Sequence, residues 1–229
     1  MIYVTSDLHG CYDQYIRLLK AIDFKDEDTL YILGDVIDRG PNPIGILEHM
    51  KKHKNIIPLM GNHEYIAMTM FELLQNKMIT RFNENEMQIF ELWLEDGGRP
   101  TLNQWISLTK EKQDELLTYL HSFKKYEIID LNYRTFILVH AGLANFHPKK
   151  SLDDYDLSDV LFDRANYNQV YYQTKYLVTG HTPTQTLQLK ERPSIFKENR
   201  HFAIDCGVVF NGRLACLCLD NLKEYYIES

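Results

Sequence analysis

Nine residues stand out for what their side chains could do together: Asp7, His9, Asp35, Asp38, Arg39, Asn62, His63, His140 and His181. They fall in five short stretches, Ser6-Asp7-Leu8-His9-Gly10, Gly34-Asp35-Val36-Ile37-Asp38-Arg39-Gly40, Gly61-Asn62-His63-Glu64, His140-Ala141-Gly142-Leu143 and Gly180-His181-Thr182. Imidazole, carboxylate and amide oxygen in one place suit hard-to-borderline divalent ions such as Mn, Fe or Zn. The candidate ligands outnumber what one ion needs. Asp35, central in the series and in a glycine-flanked turn, is therefore expected to bridge two ions roughly 3.5 to 4 Å apart, the arrangement of two-metal hydrolysis.

Each stretch also has a plainer reading. Asp-x-His alone is a weak signal, Gly34-Asp35 fits a turn with an Asx cap, Asn62 fits a helix cap, and His140 and His181 fit hydrogen-bonded core histidines. Their joint occurrence favours the metal reading. His49, His53, His121, His147 and His201 lack this setting and are expected to be structural.

The elements that must hold these residues can be read from periodicity. Ile2 to Thr5, Thr29 to Leu33 and Asn55 to Met60 are apolar runs of strand length, each breaking into one of the polar stretches. Tyr15, Leu18, Leu19 and Ile22 form a helical stripe between the first two strands, and Pro43 sits where a second helix can start. Strand and helix in alternation imply a partly parallel sheet whose loops gather at the strand C-terminal ends, where ligands bind. From about residue 64 to 123, Met, Leu, Phe and Trp recur at helical spacing, with a break at Gly97-Gly98-Arg99-Pro100. This is a helical insertion whose apolar stripes are expected to be core.

Strands resume at Arg134 to Val139, Tyr176 to Thr179 and His201 to Ile204, followed by a hairpin about Asn211-Gly212 joining Val208–Asn211 to Gly212–Leu219, and a last strand over Tyr225 to Ile227. The later half is expected to form a second, more antiparallel sheet packed on the first. The fold class is thus α/β, two mixed sheets packed as a sandwich flanked by helices, in one domain over residues 1–229.

Composition narrows the functions. A net charge of −7 and 25% charged residues give no general attraction for nucleic acid or anionic membrane. No apolar run approaches the roughly 18 to 20 residues of a membrane span, and no secretory leader is apparent, so a cytoplasmic location is expected. Cys11, Cys206, Cys216 and Cys218 form no C-x-x-C pair and are expected to be reduced, packed thiols.

The five motifs resemble those of the calcineurin-like metallophosphoesterases, in the phosphoprotein phosphatase branch that includes small bacterial and phage members. They span residues 6 to 182 and leave out the insertion. Ser6 stands where the family pattern usually has glycine, and only a local backbone effect is expected from it. The resemblance implies the αββα fold of the family and two divalent ions, manganese before iron or zinc. It assigns Asp7, His9 and Asp35 to one ion, and Asp35, Asn62, His140 and His181 to the other. His63 becomes the general acid, oriented and tuned by Asp38; Arg39 grips the phosphoryl group, with Asn62 also at the substrate. Arg164, in Leu161-Phe162-Asp163-Arg164, is the candidate for a second phosphate-binding arginine, against a surface arginine paired with Asp163 or Asp159. Asp205 would support the site without ligating metal.

The activity implied is hydrolysis of phosphomonoesters by direct attack of a metal-activated, bridging water, without a phosphoenzyme. Glu64 and Asp38-Arg39-Gly40 lean toward a serine/threonine protein phosphatase acting on a phosphoprotein or small phosphoester. Relatives with these motifs also cleave dinucleoside polyphosphates such as diadenosine tetraphosphate, which is the second reading. A non-catalytic phosphate-binding module is the third, disfavoured because such a module needs no general acid.

Overall fold

Two five-stranded sheets face each other in the computed structural model, which describes residues 1–188 and 190–229. The chain opens as strand β1 (Ile2–Thr5), helix α1 (Tyr12–Ala21), strand β2 (Thr29–Ile32), helix α2 (Pro43–Lys52) and strand β3 (Ile56–Pro58), with β1, β2 and β3 parallel. Strand periodicity sends alternate side chains to opposite faces. Tyr3 accordingly joins the core beneath α1 and α2, whereas Val4 joins the core between the sheets. The stripe of α1 buries Tyr15, Leu18 and Ile22 as expected. Helix α2 starts at Pro43, with the Asn42 side chain accepting the Gly45 N–H at 3.1 Å.

The insertion is helical. It comprises α3 (Asn62–Asn76), α4 (Glu84–Trp93), α5 (Arg99–Ile106) and α6 (Lys110–His121), and the expected break falls on a π-turn over Leu94–Gly98. Its aromatic stripe is core: Phe71 stacks on Trp105 with ring centroids 3.7 Å apart and meets Trp93 edge-on at 5.8 Å.

The second sheet is built from β4 (Tyr126–Leu131), β5 (Arg134–Val139), β6 (Lys175–Thr179), β7 (Phe196–Glu198) and β8 (His201–Ala203), with the short helix α7 (Leu157–Leu161) between β5 and β6. Its order is β4-β5-β6-β8-β7, and the three central strands are parallel. The expectation of a more antiparallel second sheet is corrected here: antiparallel pairing is confined to its edges, β4 and β7. Strand β4 had no clear sequence signal. It returns into β5 through Asn132 and Tyr133, both left-handed at φ of 50° and 64°, a two-residue turn that suits a hairpin without a glycine to announce it.

The end of the chain also departs from expectation. Val208–Phe210 is a 3₁₀ turn rather than a strand, because Gly207 and Asn211 on either side of it are left-handed at φ of 67° and 57°. Strands β9 (Arg213–Cys218) and β10 (Glu224–Glu228) then return to the first sheet, giving it the order β10-β9-β1-β2-β3. Leu214 to Cys218 are all buried, which requires a place inside a sheet, and β9 finds it antiparallel to β1. The four cysteines are buried and free. Among the described residues no helix is long and apolar enough to cross a membrane.

Candidate metal centre

The strand-end residues converge. Asp7 and His9 follow β1, Asp35, Asp38 and Arg39 follow β2, Asn62 and His63 open α3 after β3, His140 follows β5 and His181 follows β6. Backbone bonds knit the turns together: His9 N–H donates to Asp35 O at 2.8 Å and Gly180 N–H to His140 O at 2.7 Å. The sheets are joined at the same place, where His140 Nδ1 meets Leu33 O at 2.6 Å. Gly34, at φ +82°, permits this closeness, since a Cβ there would stand 2.5 Å from Gly61 Cα and 2.9 Å from His140 Nδ1. Asp7, His9, Asp35, Asp38, Arg39 and His181 all hold left-handed backbone, with φ from 42° to 67°. Non-glycine residues seldom adopt this region, so the surrounding contacts must hold these turns in place.

Asp35 lies at the centre with its two oxygens facing different ways. Oδ1 is 3.4 Å from His140 Nε2, and Oδ2 is 3.7 Å from His9 Nε2 and 4.0 Å from His63 Nε2. Two sets of atoms within 4.8 Å of one another could each hold an ion, His9 with Asp35 and His63, and Asp35 with His140 and His181. Asp35 is common to both. Asp7 lies outside these two sets; both its oxygens accept the His181 N–H, at 3.0 and 3.1 Å.

The donor chemistry fits a cation. His140 gives its Nδ1 proton to Leu33 O and His9 its Nδ1 proton to Ile37 O, at 3.0 Å. Each Nε2 then carries a lone pair turned into the site. Burial lowers the pKa of all three imidazoles, His9 to about 3 and His181 to about 4, so they stay neutral. Asn62 Oδ1 nonetheless stands 2.9 Å from His140 Nε2 and 3.0 Å from His181 Nδ1. At His140 an acceptor therefore faces an acceptor, an arrangement that a bound metal ion, the usual partner of neutral imidazole with oxygen, would satisfy.

His63 is different. Burial lowers its pKa, but the Asp35 charge and the hydrogen bond to Asp38 raise it more, to about 9, so the ring is protonated near neutrality. Its Nδ1 is 2.7 Å from Asp38 Oδ2. Asp38 is itself fixed by the insertion: Trp93 Nε1 donates to Oδ2 at 2.8 Å and the Thr101 hydroxyl to Oδ1 at 2.5 Å. Burial raises the Asp35 carboxyl, yet the surrounding imidazoles, His140 foremost, hold it below the usual carboxylate range. Asp7 and Asp205 move the other way, upward through burial.

A cavity of about 560 Å³ opens over this cluster, walled by Arg39, Asp96, Arg164, His181 and Phe210. Arg39 reaches His9 Nε2 at 2.7 Å, and its guanidinium carbon lies 5.3 Å from the Phe210 ring centre. Arg164 reaches the same cavity. Asp159 pairs instead with Lys150, at 3.4 Å, and among the described residues Arg164 forms no ion pair with Asp159 or Asp163. Of the histidines expected to be structural, His201 is buried and bonded to Thr179 at 2.8 Å.

Four contributors lay beyond the sequence reading. Glu64, fully buried, accepts N–H bonds from Asp35 and Val36 at 2.8 Å, Gly61 at 3.0 Å and Ile37 at 3.1 Å, and so sets the turn that carries Asp35. Burial and the Asp35 charge push its carboxyl up to about 7, against the pull of these N–H groups. Glu64→Ala would strand four buried donors and is expected to lower stability by about 3 to 5 kcal/mol in urea unfolding; a loss under about 1 kcal/mol would show that water can replace the carboxylate. Trp93 and Asp96 come from the insertion, where nothing in their spacing marks them. Ser6 was expected to have only a local backbone effect; instead its hydroxyl donates to the Asp7 carboxylate.

Two facing mixed sheets thus carry clustered metal-ligand atoms and a buried imidazole–carboxylate pair at their strand ends. A family model for calcineurin-like phosphoesterases matches residues 1–185, and the chain belongs to that family, whose members use divalent metals. Over 71 residues it is 39% identical to the symmetrical bis(5′-nucleosyl)-tetraphosphatase of Salmonella typhimurium, a match covering 30% of this chain and 25% of that enzyme. The match thus spans about a quarter of the relative's length. Among solved structures, a putative diadenosine tetraphosphatase superposes with a TM-score of 0.66 at 19% identity, over 100% of this chain and 93% of that one. A Saccharomyces cerevisiae protein serine/threonine phosphatase superposes at 0.59 with 14% identity, over 100% and 79%. At these identities the likeness establishes the fold.

Proposed function

We propose that this site hydrolyses phosphoric monoesters with two divalent ions, as a phosphatase of the serine/threonine protein type. The observation that carries the metal reading is the divided Asp35 carboxylate, one oxygen toward His140 and the other toward His9. One ion would be held by Asp7, His9 and Asp35, the other by Asp35, Asn62, His140 and His181. Manganese is proposed first, and iron or zinc suits the same donors. When bound, such ions supply an activated water and neutralise charge on the phosphoryl group.

The chain's own groups do the rest. His63 carries its proton at Nε2, beside the cluster, and gives it to the leaving oxygen; Asp38 fixes the ring through Nδ1. Arg39 and Arg164 hold phosphoryl oxygens, for which a guanidinium fork is matched in geometry. Asn62 adds an amide at the same point. An acid of this kind matters most for a serine or threonine ester, whose alkoxide is a poor leaving group, and this supports the first reading.

A second reading, hydrolysis of dinucleoside polyphosphates, is supported by the 39% identity to the Salmonella tetraphosphatases and by the diadenosine tetraphosphatase neighbour. The deciding experiment compares kcat/KM on phosphoseryl and phosphothreonyl peptides, phosphotyrosyl peptides and diadenosine tetraphosphate, with manganese and again with chelator. Preference for the phosphoseryl and phosphothreonyl peptides is expected. Preference for the dinucleotide would replace the first reading by the second, and turnover that survives chelation would end both.

A further inference from the structure

Asp96 is bound to the same two side chains that a phosphoester would need. Its Oδ1 lies 2.9 Å from Arg39 Nη2 and its Oδ2 3.4 Å from His63 Nε2. The carboxylate therefore spans from the guanidinium to the imidazole as two oxygens of a phosphoester would, one phosphoryl and one leaving. The side chains differ in burial: His63 is 2% exposed and Asp96 is 57% exposed. Asp96 can swing into water without opening the fold.

The backbone that carries Asp96 is not equally free. Arg39 Nε donates to Asp96 O at 3.3 Å and Arg39 N–H to Gly97 O at 2.8 Å. Gly97 sits at φ +106°, and a Cβ there would stand 2.5 Å from Arg39 Cγ. The π-turn is thus pressed against Arg39 through its main chain, which supports the arginine independently of the Asp96 carboxylate.

We propose that Asp96 is a specificity-determining residue, an internal competitor whose carboxylate must leave Arg39 and His63 before a phosphoryl group can take them. The inference rests on the reading that these two residues grip the substrate. Competition falls hardest on a ligand with nothing else to hold it. Inorganic phosphate must displace Asp96 and has no leaving-group contacts, whereas an ester keeps contacts along the cavity wall. Asp96 would therefore weaken product binding more than substrate binding.

The test is Asp96→Asn, with Asp96→Ala beside it, in manganese-loaded protein. Inorganic phosphate is titrated by calorimetry, and its competitive Ki is compared with the KM of an aryl phosphate. Both variants are expected to bind phosphate about fivefold tighter, the scale of an exposed ion pair removed, with a smaller fall in KM. Phosphate binding that is unchanged or weaker in both variants overturns the proposal, because Asp96 then only props Arg39. Failure of the wild-type protein to bind phosphate or turn over the ester would instead overturn the reading of the site itself.

Discussion

Asp35→Asn is expected to abolish metal-dependent turnover, by about a thousandfold or more, the scale of removing a principal electrostatic contributor. Asparagine keeps the shape of the side chain but gives up the charge and one acceptor oxygen. Both candidate ion sites use this carboxylate, one through each oxygen, so one substitution damages both. The Asp35 N–H bond to Glu64 belongs to the backbone and survives, and the fold should be retained. Metal analysis after dialysis is the direct measurement: two equivalents in the wild-type chain and one or none in the variant. A variant that keeps two equivalents would show that Asp35 bridges nothing.

His63→Asn is expected to slow turnover by about 10²- to 10⁴-fold, the range for loss of a positioned acid, with metal content unchanged. The loss should depend on the leaving group. A phosphoseryl peptide releases an alkoxide and needs the proton, whereas an aryl phosphate releases a stabilised phenolate and should suffer far less. His63 Nε2 is 4.0 Å from Asp35 Oδ2, close enough that a ligand role is a real alternative. Metal content decides between them, since an acid can be removed without losing an ion and a ligand cannot. Asp38→Asn should move kcat in the same direction by a smaller factor, because Trp93 and Thr101 hold residue 38 in place while the charge that sustains the imidazolium is lost.

Residues adjacent in sequence were the most legible part of the site. Asp7 with His9, Asp35 with Asp38 and Arg39, and Asn62 with His63 each sit in a turn after an apolar strand, so their presence at one end of a sheet follows from periodicity alone. Glu64 was visible but its role was not. Its four partners include three N–H groups from another turn, 27 to 29 residues away, and no local pattern records such a bond. Strand β9 failed for a related reason. An unbroken apolar run marks residues 214–218 as a strand buried on both faces, but which sheet takes it depends on the space beside β1.

The sequence by itself determined the inventory of chemistry: five glycine-bearing strand ends carrying carboxylates, imidazoles and an amide, which bound the class of chemistry the site can support. Only the tertiary structure decided how those groups divide the work. Neutral His9, His140 and His181 and protonated His63 are the same side chain in different surroundings: burial prevails at the first three, whereas at His63 the Asp35 charge together with the Asp38 carboxylate, 2.7 Å from Nδ1, outweighs it. The fold also brought the π-turn of the insertion against Arg39, placing Asp96 at the mouth of the site. Side-chain identity is local and can be read along the chain, whereas charge state and competition depend on distances between segments that only packing sets.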